Sequence, residues 1–575
     1  MGAPLHALTA STARTSRALA VAPAVTVAAF GLPIAAGLAG TVAPAFGFLP
    51  AIGGHSLTLD PWRELVRWPG FTTAVVTSVA TGFAATLGSL LIALAFTAWA
   101  CARPWGERAA AWLAPILATP HSAFAIGLAF VIAPSGWIVR ALTPWLTGFE
   151  VPPDVATVGH PSGAALVLAL MVKEVPYLVL MIAGATAQVP ARESLAIARS
   201  LGYGAADAWV ATVLPRVWPQ IRLPVCAVLA FSLSVVDVAL VLGPGNPPTL
   251  AVQAVRWFAD PDVTLWFPAA AAATLQLAIV VASLAVLLGI ERAMTRIGTA
   301  RIERGRRDGA AAPLAAAGAV ALAILVALAC ASIAGMGLWS LATQWRFPDA
   351  WPAGLTMEGW MRRADGLAAP FATTLGVAAI SVAVSLALAL GCLEFEQRRA
   401  RRGPPPGLAL LYLPLVVPQV AFLFGAQVLL VRTGWDGTLA AVVWAHVIFV
   451  LPYLFLSLAD PWRSLDPRYA RTAASLGAGP WRVFARVKLP ILVKPVAIAC
   501  AVAFAVSVGQ YLPTLFAGNG RVATLTTEAV TLSSGADRRV IGAYALLQAL
   551  LPLTAYGAAA LLRERRRPGR RSSRR

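Results

Sequence analysis

The stretch RSLGYGAADAWVATVLP, residues 199–215, has a counterpart further along the chain in ASLGAGPWRVFARVKLP, residues 474–490. Both contain Ser-Leu-Gly, a second glycine two residues later, and a final Leu-Pro. Thirteen residues separate the first glycine from the proline in each copy. A polar motif that recurs at fixed spacing in an otherwise apolar chain predicts two copies of one structural unit.

The composition is typical of a membrane protein. Apolar residues make up 59% of the 575 residues, charged residues 12%, and the mean hydropathy is +0.75. Segments of about 20 apolar residues, long enough to cross the hydrocarbon layer, recur throughout. The sequence predicts an all-α membrane protein with about twelve transmembrane helices. We place their starts near residues 18, 71, 111, 161, 222 and 267 in the first half, and near 313, 369, 407, 438, 494 and 539 in the second.

The distribution of basic residues predicts the orientation. The apolar run after Arg14 and Arg17 is too long for a signal-peptide core, so we expect it to remain as a helix. With a cytoplasmic N-terminus, 33 of the 45 basic residues lie inside, 11 outside, and Lys173 within a span. The acidic residues divide 11 inside and 12 outside, with Glu174 and Asp237 in spans. Both termini are therefore predicted to face the cytoplasm.

The net charge of +20 does not indicate nucleic-acid binding. The arginines lie in short loops and in the tail at residues 563–575, beside predicted membrane ends, where orientation and anionic lipid explain them. The five cysteines and the scattered histidines lack the spacing of a metal site. The sequence also lacks a carboxylate pair, a Ser-His set or a glycine-rich phosphate loop, so an enzyme is poorly supported.

The repeat extends beyond the opening motif. FTTAVVTSVATGF from residue 71 is similar to FATTLGVAAISVA from residue 371, PHSAFAIG from 120 to PQVAFLFG from 418, and VPYLVL from 175 to LPYLFL from 451. Gln276 and Gln548 also correspond. Six spans in each half predict two parallel six-helix bundles, residues 1–307 and 308–575, related by an axis along the membrane normal, with the boundary near Arg307.

The two motifs lie in predicted cytoplasmic loops, residues 188–221 and 460–493, each after the fourth span of its half. Each predicts a helix that ends at Ser-Leu-Gly, a tight turn, and a short second helix that ends near Leu-Pro. A single loop of this kind could simply rest on lipid headgroups, but two related loops predict a partner with two matching sockets. The apolar side chains expected at the loop surfaces are Trp209, Val213, Trp481, Phe484 and Val487.

These motifs resemble the cytoplasmic EAA loop of permease subunits of binding-protein-dependent ABC importers, whose pattern is Glu-Ala-Ala, three residues, Gly, and a hydrophobic-Leu-Pro end. The glutamate is missing, since Ala196 and Arg471 stand in its place, so the backbone geometry carries over but the charged contact does not. We assign ATPase coupling to Ala198, Gly202, Trp209, Leu214, Pro215, Ala473, Gly477, Trp481, Leu489 and Pro490.

More narrowly, the chain resembles the fused double permeases of thiamine-type and ferric-iron-type importers, and the stretch from Tyr511 is closest to the thiamine-type branch. The resemblance implies an ATPase dimer on the cytoplasmic side and a periplasmic or extracellular solute-binding protein. No lysine follows a glycine here, as a Walker A motif requires, so ATP is expected to be hydrolysed by the partner and no cofactor is expected on this chain. Thiamine or a related small cation is the first expectation for the solute, and ferric iron the second.

Four residues inside predicted spans are candidates for a role in transport or structure. Asp237, mid-span in the fifth helix, aligns with Gln510 when Pro247-Pro248 is treated as an insertion. We expect this pair to border the solute path, or alternatively to make an interhelical hydrogen bond. Lys173 and Glu174 point about 100° apart on one helix. A structural role is favoured for them, with one of the two meeting Asp237 or a carbonyl freed by Pro176.

The sequence leaves two other functions open. A proton-coupled secondary transporter would use Asp237 and Glu174, but it would not explain two polar helix-turn-helix loops. An export permease would need longer cytoplasmic helices than this chain has room for.

Overall fold

The computed structural model describes residues 4–101, 103, 113–142, 145–305, 309, 311–398, 406–535 and 537–564. The predicted boundary at Arg307 and most of the basic tail lie outside these ranges. Within them the chain is helical, with only two isolated β-bridges, Leu49 to Gly54 and Ala342 to Leu355. The prediction of an all-α membrane protein is confirmed.

The first half contains thirteen described helices. They are α1 (Pro4–Ala45), α2 (Asp60–Arg67), α3 (Phe71–Ala100), α4 (Ala114–Ala118), α5 (His121–Ile132), α6 (Trp137–Leu142), α7 (Ala164–Thr186), α8 (Ala191–Ser200), α9 (Ala205–Ala208), α10 (Leu214–Ser234), α11 (Asp237–Leu242), α12 (Leu250–Phe258) and α13 (Trp266–Glu303).

The second half contains twelve helices among the residues that the structure describes. They are α14 (Ala311–Leu341), α15 (Glu358–Arg362), α16 (Ala364–Arg398), α17 (Val420–Thr433), α18 (Leu439–Arg463), α19 (Pro467–Ser475), α20 (Pro480–Val483), α21 (Leu489–Ile491), α22 (Val493–Val508), α23 (Leu512–Gly518), α24 (Leu525–Leu532) and α25 (Arg538–Glu564).

Ten helical segments of the described residues are long and apolar enough to cross a membrane. An eleventh is the bent pair Pro480–Ile491 and Val493–Val508, whose two parts meet at 76°. The span predicted from residue 407 differs from expectation, because the chain there forms a 3-10 helix, Pro406–Leu415, and then the 14-residue helix α17. Pro414 and Pro418 lack the amide hydrogen that a continuous α-helix requires, which accounts for the interruption.

The first helix of each half packs on the other half. Helix α1 lies along α16 and α17, and α14 lies along α3 and α5. Where α1 crosses α17, the backbones approach so closely that a Cβ atom on Gly425 would lie 2.0 Å from the carbonyl oxygen of Gly37. The amide of Gly425 also donates a hydrogen bond of 3.1 Å to Oγ1 of Thr41. Small residues at crossings allow this contact between membrane helices.

The reciprocal crossing uses the corresponding glycine. Gly127 ends PHSAFAIG just as Gly425 ends PQVAFLFG. A Cβ atom on Gly127 would lie 2.6 Å from the carbonyl oxygen of Ser332 in α14. Each half thus packs its first helix, α1 or α14, against helices of the other half. We call this arrangement the exchange of first helices, or the interlock.

Two arginines join the halves at the ends of α6 and α25. Arg140 is only 4% exposed. Its guanidinium donates to carbonyl oxygens of Ser135 at 2.9 Å, Arg346 at 2.6 Å and Asp349 at 3.3 Å. Arg538 of the second half donates to Oγ of Ser135 at 2.7 Å. The segment around Ser135 is therefore held from both halves.

Replacing Gly425 by alanine tests the interlock. The added methyl group has no space against Gly37, so we expect overpacking to lower the free energy of unfolding by about 1–3 kcal/mol. Reversible unfolding in mixed detergent micelles measures this change. Gly376→Ala in α16 is the matched control, because nothing lies within 4 Å of its Cβ position. Equal stability of the two variants would contradict the close crossing.

Candidate functional site

The first motif folds as a glycine-terminated helix followed by a turn. Helix α8 ends before Gly202, whose φ of +88° is in the left-handed region. The amide of Gly202 donates to the Arg199 carbonyl at 3.0 Å, and the amide of Tyr203 to the Ala198 carbonyl at 3.2 Å. This pair of bonds is the Schellman motif, which satisfies carbonyl groups at a helix end.

The second motif repeats this turn bond for bond. Gly477 has a φ of +81°. Its amide donates to the Ala474 carbonyl at 3.0 Å, and the amide of Ala478 donates to the Ala473 carbonyl at 3.0 Å. In both copies the alanine supplies a carbonyl group to the turn, and the glycine four residues later has the left-handed conformation. The shared spacing of four residues between them is therefore set by the turn. Glycine is favoured at its last position because a side chain is strained at positive φ.

After the turn, each copy forms a short helix and then a π-helical turn. The π-helical turns are Trp209–Val213 and Phe484–Lys488, which are 275 residues apart at both ends. Leu-Pro follows directly in both. A proline ring collides with the carbonyl four residues earlier in an α-helix, and widening of the preceding turn relieves this collision. Leu214-Pro215 and Leu489-Pro490 thus explain where the π-helical turns occur.

The structure corrects the expected surface of the first loop. Trp209 and Val213 are 0% exposed, so the prediction that they lie on the surface is wrong. They are buried because α9 and the following turn pack against α3, α8 and α14. The 275-residue offset aligns Trp209 with Phe484, which is half-buried, and not with Trp481, which is 73% exposed.

The exposed feature that both loops share is the leucine of Ser-Leu-Gly. Leu201 is 54% exposed and Leu476 is 83% exposed. Each lies immediately before the left-handed glycine, at the tip of its turn. The repeated Ser-Leu-Gly triplet was the available signal for these two side chains, which the sequence analysis did not single out.

Both loops lie on the same side of the helical bundle. In the first loop, Oδ1 of Asp207 accepts a hydrogen bond of 3.2 Å from the Ala311 amide at the start of α14. In the second, Nζ of Lys488 lies 2.6 Å from Oε2 of Glu394 near the end of α16. Helices α14 and α16 are two successive spans. The chain therefore crosses twice between these contacts and returns to the same side.

A buried ionic cluster, Lys488, Glu394, Gln397 and Arg398, holds the second loop. Nζ of Lys488 also lies 2.7 Å from Oε1 of Gln397. Nε of Arg398 donates to Oε1 of Glu394 at 2.7 Å. The side chains of Lys488 and Glu394 are only 6% and 5% exposed. Sequence reasoning missed this cluster, although charges at the end of a predicted span were a signal.

The fifth span is broken at the same place in each half. Helix α10 ends at Ser234 and α11 begins at Asp237, while α22 ends at Val508 and α23 begins at Leu512. Asp237 is thus the first residue of a new helix and not a mid-helix residue, as the sequence suggested. Gln510 lies in the second break, so the two residues lie within or beside equivalent breaks.

Two buried glutamines support these breaks. Nε2 of Gln276 donates to the Leu233 carbonyl at 3.1 Å. Nε2 of Gln548 donates to Oγ1 of Thr526 at 2.7 Å, and the Thr526 hydroxyl donates to the Val508 carbonyl. Both glutamines are fully buried. They supply hydrogen bonds where the helical backbone is interrupted. The pairing of Gln276 with Gln548 in the repeat was the signal for this role.

Lys173 is bound by backbone carbonyls of α4 and the residues after it. Its Nζ donates to Ile116 at 2.7 Å, to Leu117 at 3.4 Å and to Thr119. These are neither Asp237 nor a carbonyl freed by Pro176, the two partners that the sequence suggested. The ammonium group thus fixes the segment before α5.

Glu174 belongs to a polar region where the halves meet. Its Oε1 lies 3.5 Å from Nε2 of His121, and its charge also interacts with Tyr177 and Tyr453. Tyr177 and Tyr453 are the equivalent residues of VPYLVL and LPYLFL. This region therefore combines side chains from both halves.

Asp237 lies in the same region. It interacts electrostatically with His121 of the first half and Tyr511 of the second. A Cβ atom on Gly509 would lie 3.6 Å from the Cβ atom of Pro120. The residues that the structure describes contain no group of three or more His, Cys, Asp and Glu side chains that could hold a metal ion.

Comparison with known proteins identifies the family. The chain is 33% identical over 509 residues to the inner membrane ABC transporter permease protein YnjC of Escherichia coli strain K12. The match covers 88% of this chain and 91% of that protein. The chain belongs to the permease proteins of ABC transporters. No protein-family profile matches this permease.

Shorter matches connect the permease to other transport systems. It is 38% identical over 133 residues to the molybdenum transport system permease protein ModB of Mycobacterium tuberculosis, covering 20% of this chain and 49% of that protein. It is 30% identical over 167 residues to ModB of Escherichia coli strain K12, covering 24% of this chain and 73% of that protein. These matches agree with a multi-pass transport subunit.

Replacing Gly477 by alanine tests the turn of the second loop. A side chain at this left-handed position costs about 1–2 kcal/mol. We therefore expect faster amide exchange over residues 473–479 of the permease, measured by mass spectrometry. Gly479→Ala is the matched control, because Gly479 has a φ of −66° and, like Gly477, has open space around its Cβ position. Unchanged exchange in Gly477→Ala would contradict the assigned turn.

Proposed function

We propose that this chain is the membrane permease of an ATP-driven ABC importer in the bacterial inner membrane. One observation carries the proposal: an ABC permease presents two Schellman turns, equivalent in sequence and hydrogen bonding, on the same side of its helices. Separate ATPase subunits bind the loops at residues 188–221 and 460–493. Two equivalent binding loops match the symmetry of an ATPase dimer.

The proposal assigns both membrane halves of the transporter to this single polypeptide. Residues 1–307 and 308–575 form one permease module each, joined by the arginine-rich linker. The exchanged helices α1 and α14 and the equivalent breaks in the fifth spans support two modules of one design. The excess of basic residues on one side supports a cytoplasmic position for both loops and both termini.

A soluble binding protein delivers the solute at the opposite face. The connections there, residues 132–160, 244–266 and 516–538, are the surfaces available to it. They include the segment around Ser135, which Arg140 and Arg538 hold from both halves. A rigid surface of this kind suits docking of a preformed partner.

The solute path passes the two breaks in the fifth spans. Irregular backbone at membrane depth occurs where it is buried in protein or borders a cavity. Asp237 begins the helix after the first break, Gln510 lies in the second break, and Glu174 lies in the same polar region. When the ATPase subunits close, the force on the two loops alternately opens this path to each side.

We propose thiamine or a related small cation as the solute. Glu174 and Asp237 supply carboxyl groups in the polar region, while the neighbouring Lys173 donates to three carbonyl groups. Ferric iron is the alternative cation. The relatives named for molybdenum transport each match about a quarter of this chain or less. Mass spectrometry of the ligand bound to the purified binding protein distinguishes thiamine, iron and a molybdenum compound.

Leu201→Asp and Leu476→Asp test the coupling loops. A charged side chain at each turn tip disfavours burial in an apolar socket, so we expect each variant to weaken co-purification with the ATPase and the double variant to abolish it. Leu201→Met and Leu476→Met keep the apolar surface and serve as controls. Solute uptake by the chain alone in liposomes, driven by a pH gradient, would instead support a proton-coupled carrier.

Asp237→Asn tests the proposed path. Loss of the charge is expected to lower uptake of a cationic solute about tenfold, equivalent to about 1.4 kcal/mol, while the complex with the ATPase still assembles. Uptake is measured in proteoliposomes that contain the whole transporter. Gln510→Glu, which adds charge at the equivalent break, is the companion variant. Normal uptake by Asp237→Asn would remove this residue from the path.

A further inference from the structure

The two loops are anchored to the membrane helices by different physical means. The first is held by apolar burial, with Trp209 and Val213 fully enclosed. The second is held by the ionic cluster of Lys488, Glu394, Gln397 and Arg398. Val213 and Lys488 occupy equivalent positions, because both end the π-helical turn of their loop.

The helix that receives the second loop differs in the same way. The repeat offset of 300 residues aligns Glu394 with Leu94 and Arg398 with Ala98. The end of α3 is therefore apolar at the positions where α16 carries the ionic cluster. In the second half, the loop residue and the α16 residue are both charged, Lys488 and Glu394. At the equivalent positions of the first half, both residues are apolar, Val213 and Leu94.

The cluster and a neighbouring ion pair connect three parts of the second half. Lys488 belongs to the loop, and Glu394 and Arg398 belong to α16. The guanidinium of Arg398 also reaches the Pro480 carbonyl of the loop at 3.5 Å. A second ion pair, Nε of Arg463 to Oε1 of Glu396 at 2.8 Å, joins the end of α18 to α16.

We infer that the Lys488–Glu394 pair is the joint through which the second loop moves helix α16 during transport. The inference rests on the proposed function of the loops. Lys488 and Glu394 are positioning residues: they act through the loop and need no contact with solute or nucleotide. A buried ion pair resists separation because each charge left alone lacks the solvation of water. The loop and α16 therefore move as one body, whereas the first loop is held by apolar burial and by the hydrogen bond from the Ala311 amide to Asp207.

Variants that copy the first half test this joint. Lys488→Val leaves Glu394 paired with Arg398 of its own helix, and Glu394→Leu leaves Lys488 with the neutral Gln397. The double variant Glu394→Leu/Lys488→Val places the residue types of positions 94 and 213 at the two equivalent positions. The exchanged pair, Glu394→Lys/Lys488→Glu, keeps both charges. Lys494→Met is the control, because it removes a nearby lysine that lies outside the cluster. Each variant is assembled with the ATPase and the binding protein in proteoliposomes.

The decisive quantity is the amount of solute transported per ATP hydrolysed. Each single variant is expected to lower this ratio about tenfold, because the ion pair that joins the loop to α16 is lost in both. Co-purification with the ATPase is expected to remain, since Leu476 and the Gly477 turn are unchanged. At least one of the two paired replacements should restore the ratio, and Lys494→Met should leave it unchanged.

Three results would overturn the inference: full coupling in both single variants, loss of ATPase binding in parallel with coupling, or failure of both paired replacements to restore the ratio. The first would show that the joint is dispensable, and the other two would show a general role in folding. Failure of the unmodified chain to bind an ATPase would instead reject the proposed function.

Discussion

The need to satisfy backbone hydrogen bonds away from water governs this structure. A helix that stops inside the membrane leaves carbonyl and amide groups without partners, and each costs several kcal/mol in hydrocarbon. The fifth span stops in both halves, after Ser234 and after Val508. Gln276 and the pair Gln548 and Thr526 supply hydrogen bonds at those points. Because these side chains are inside the protein, the chain can place Asp237 directly after one break and Gln510 within the other.

The same backbone chemistry shapes the two loops. The left-handed glycine closes one helix, and the Leu-Pro pair widens the next, so a few residues fix the whole helix-turn-helix. Because only these few residues are needed, the motif is recognisable at both sites although most of its side chains differ. The differing side chains then adapt each loop to its own half, by Asp207 and Trp209 in the first and by Lys488 in the second.

The sequence predicted the features that depend on local chemistry. Length and hydropathy identified the spans, except where Pro414 and Pro418 interrupt one, and the glycine of each Ser-Leu-Gly predicted the turns. Contacts between distant residues were not predictable. The Ala311 amide that donates to Asp207 is 104 residues away. The partner of Lys488 is 94 residues away, and the carbonyl partners of Lys173 are 54 to 57 residues away. Nothing in the local pattern identifies such partners.

The exchange of first helices has a consequence for biosynthesis. The faces of α3 and α5 that α14 covers are complete long before α14 has left the ribosome. Small residues such as Gly127 then face lipid until the second half is inserted, and α1 likewise waits for α17 before Gly37 and Gly425 can meet. The first half cannot reach its final packing during its own translation. Joining both halves in one polypeptide keeps the missing helix at high local concentration throughout that delay.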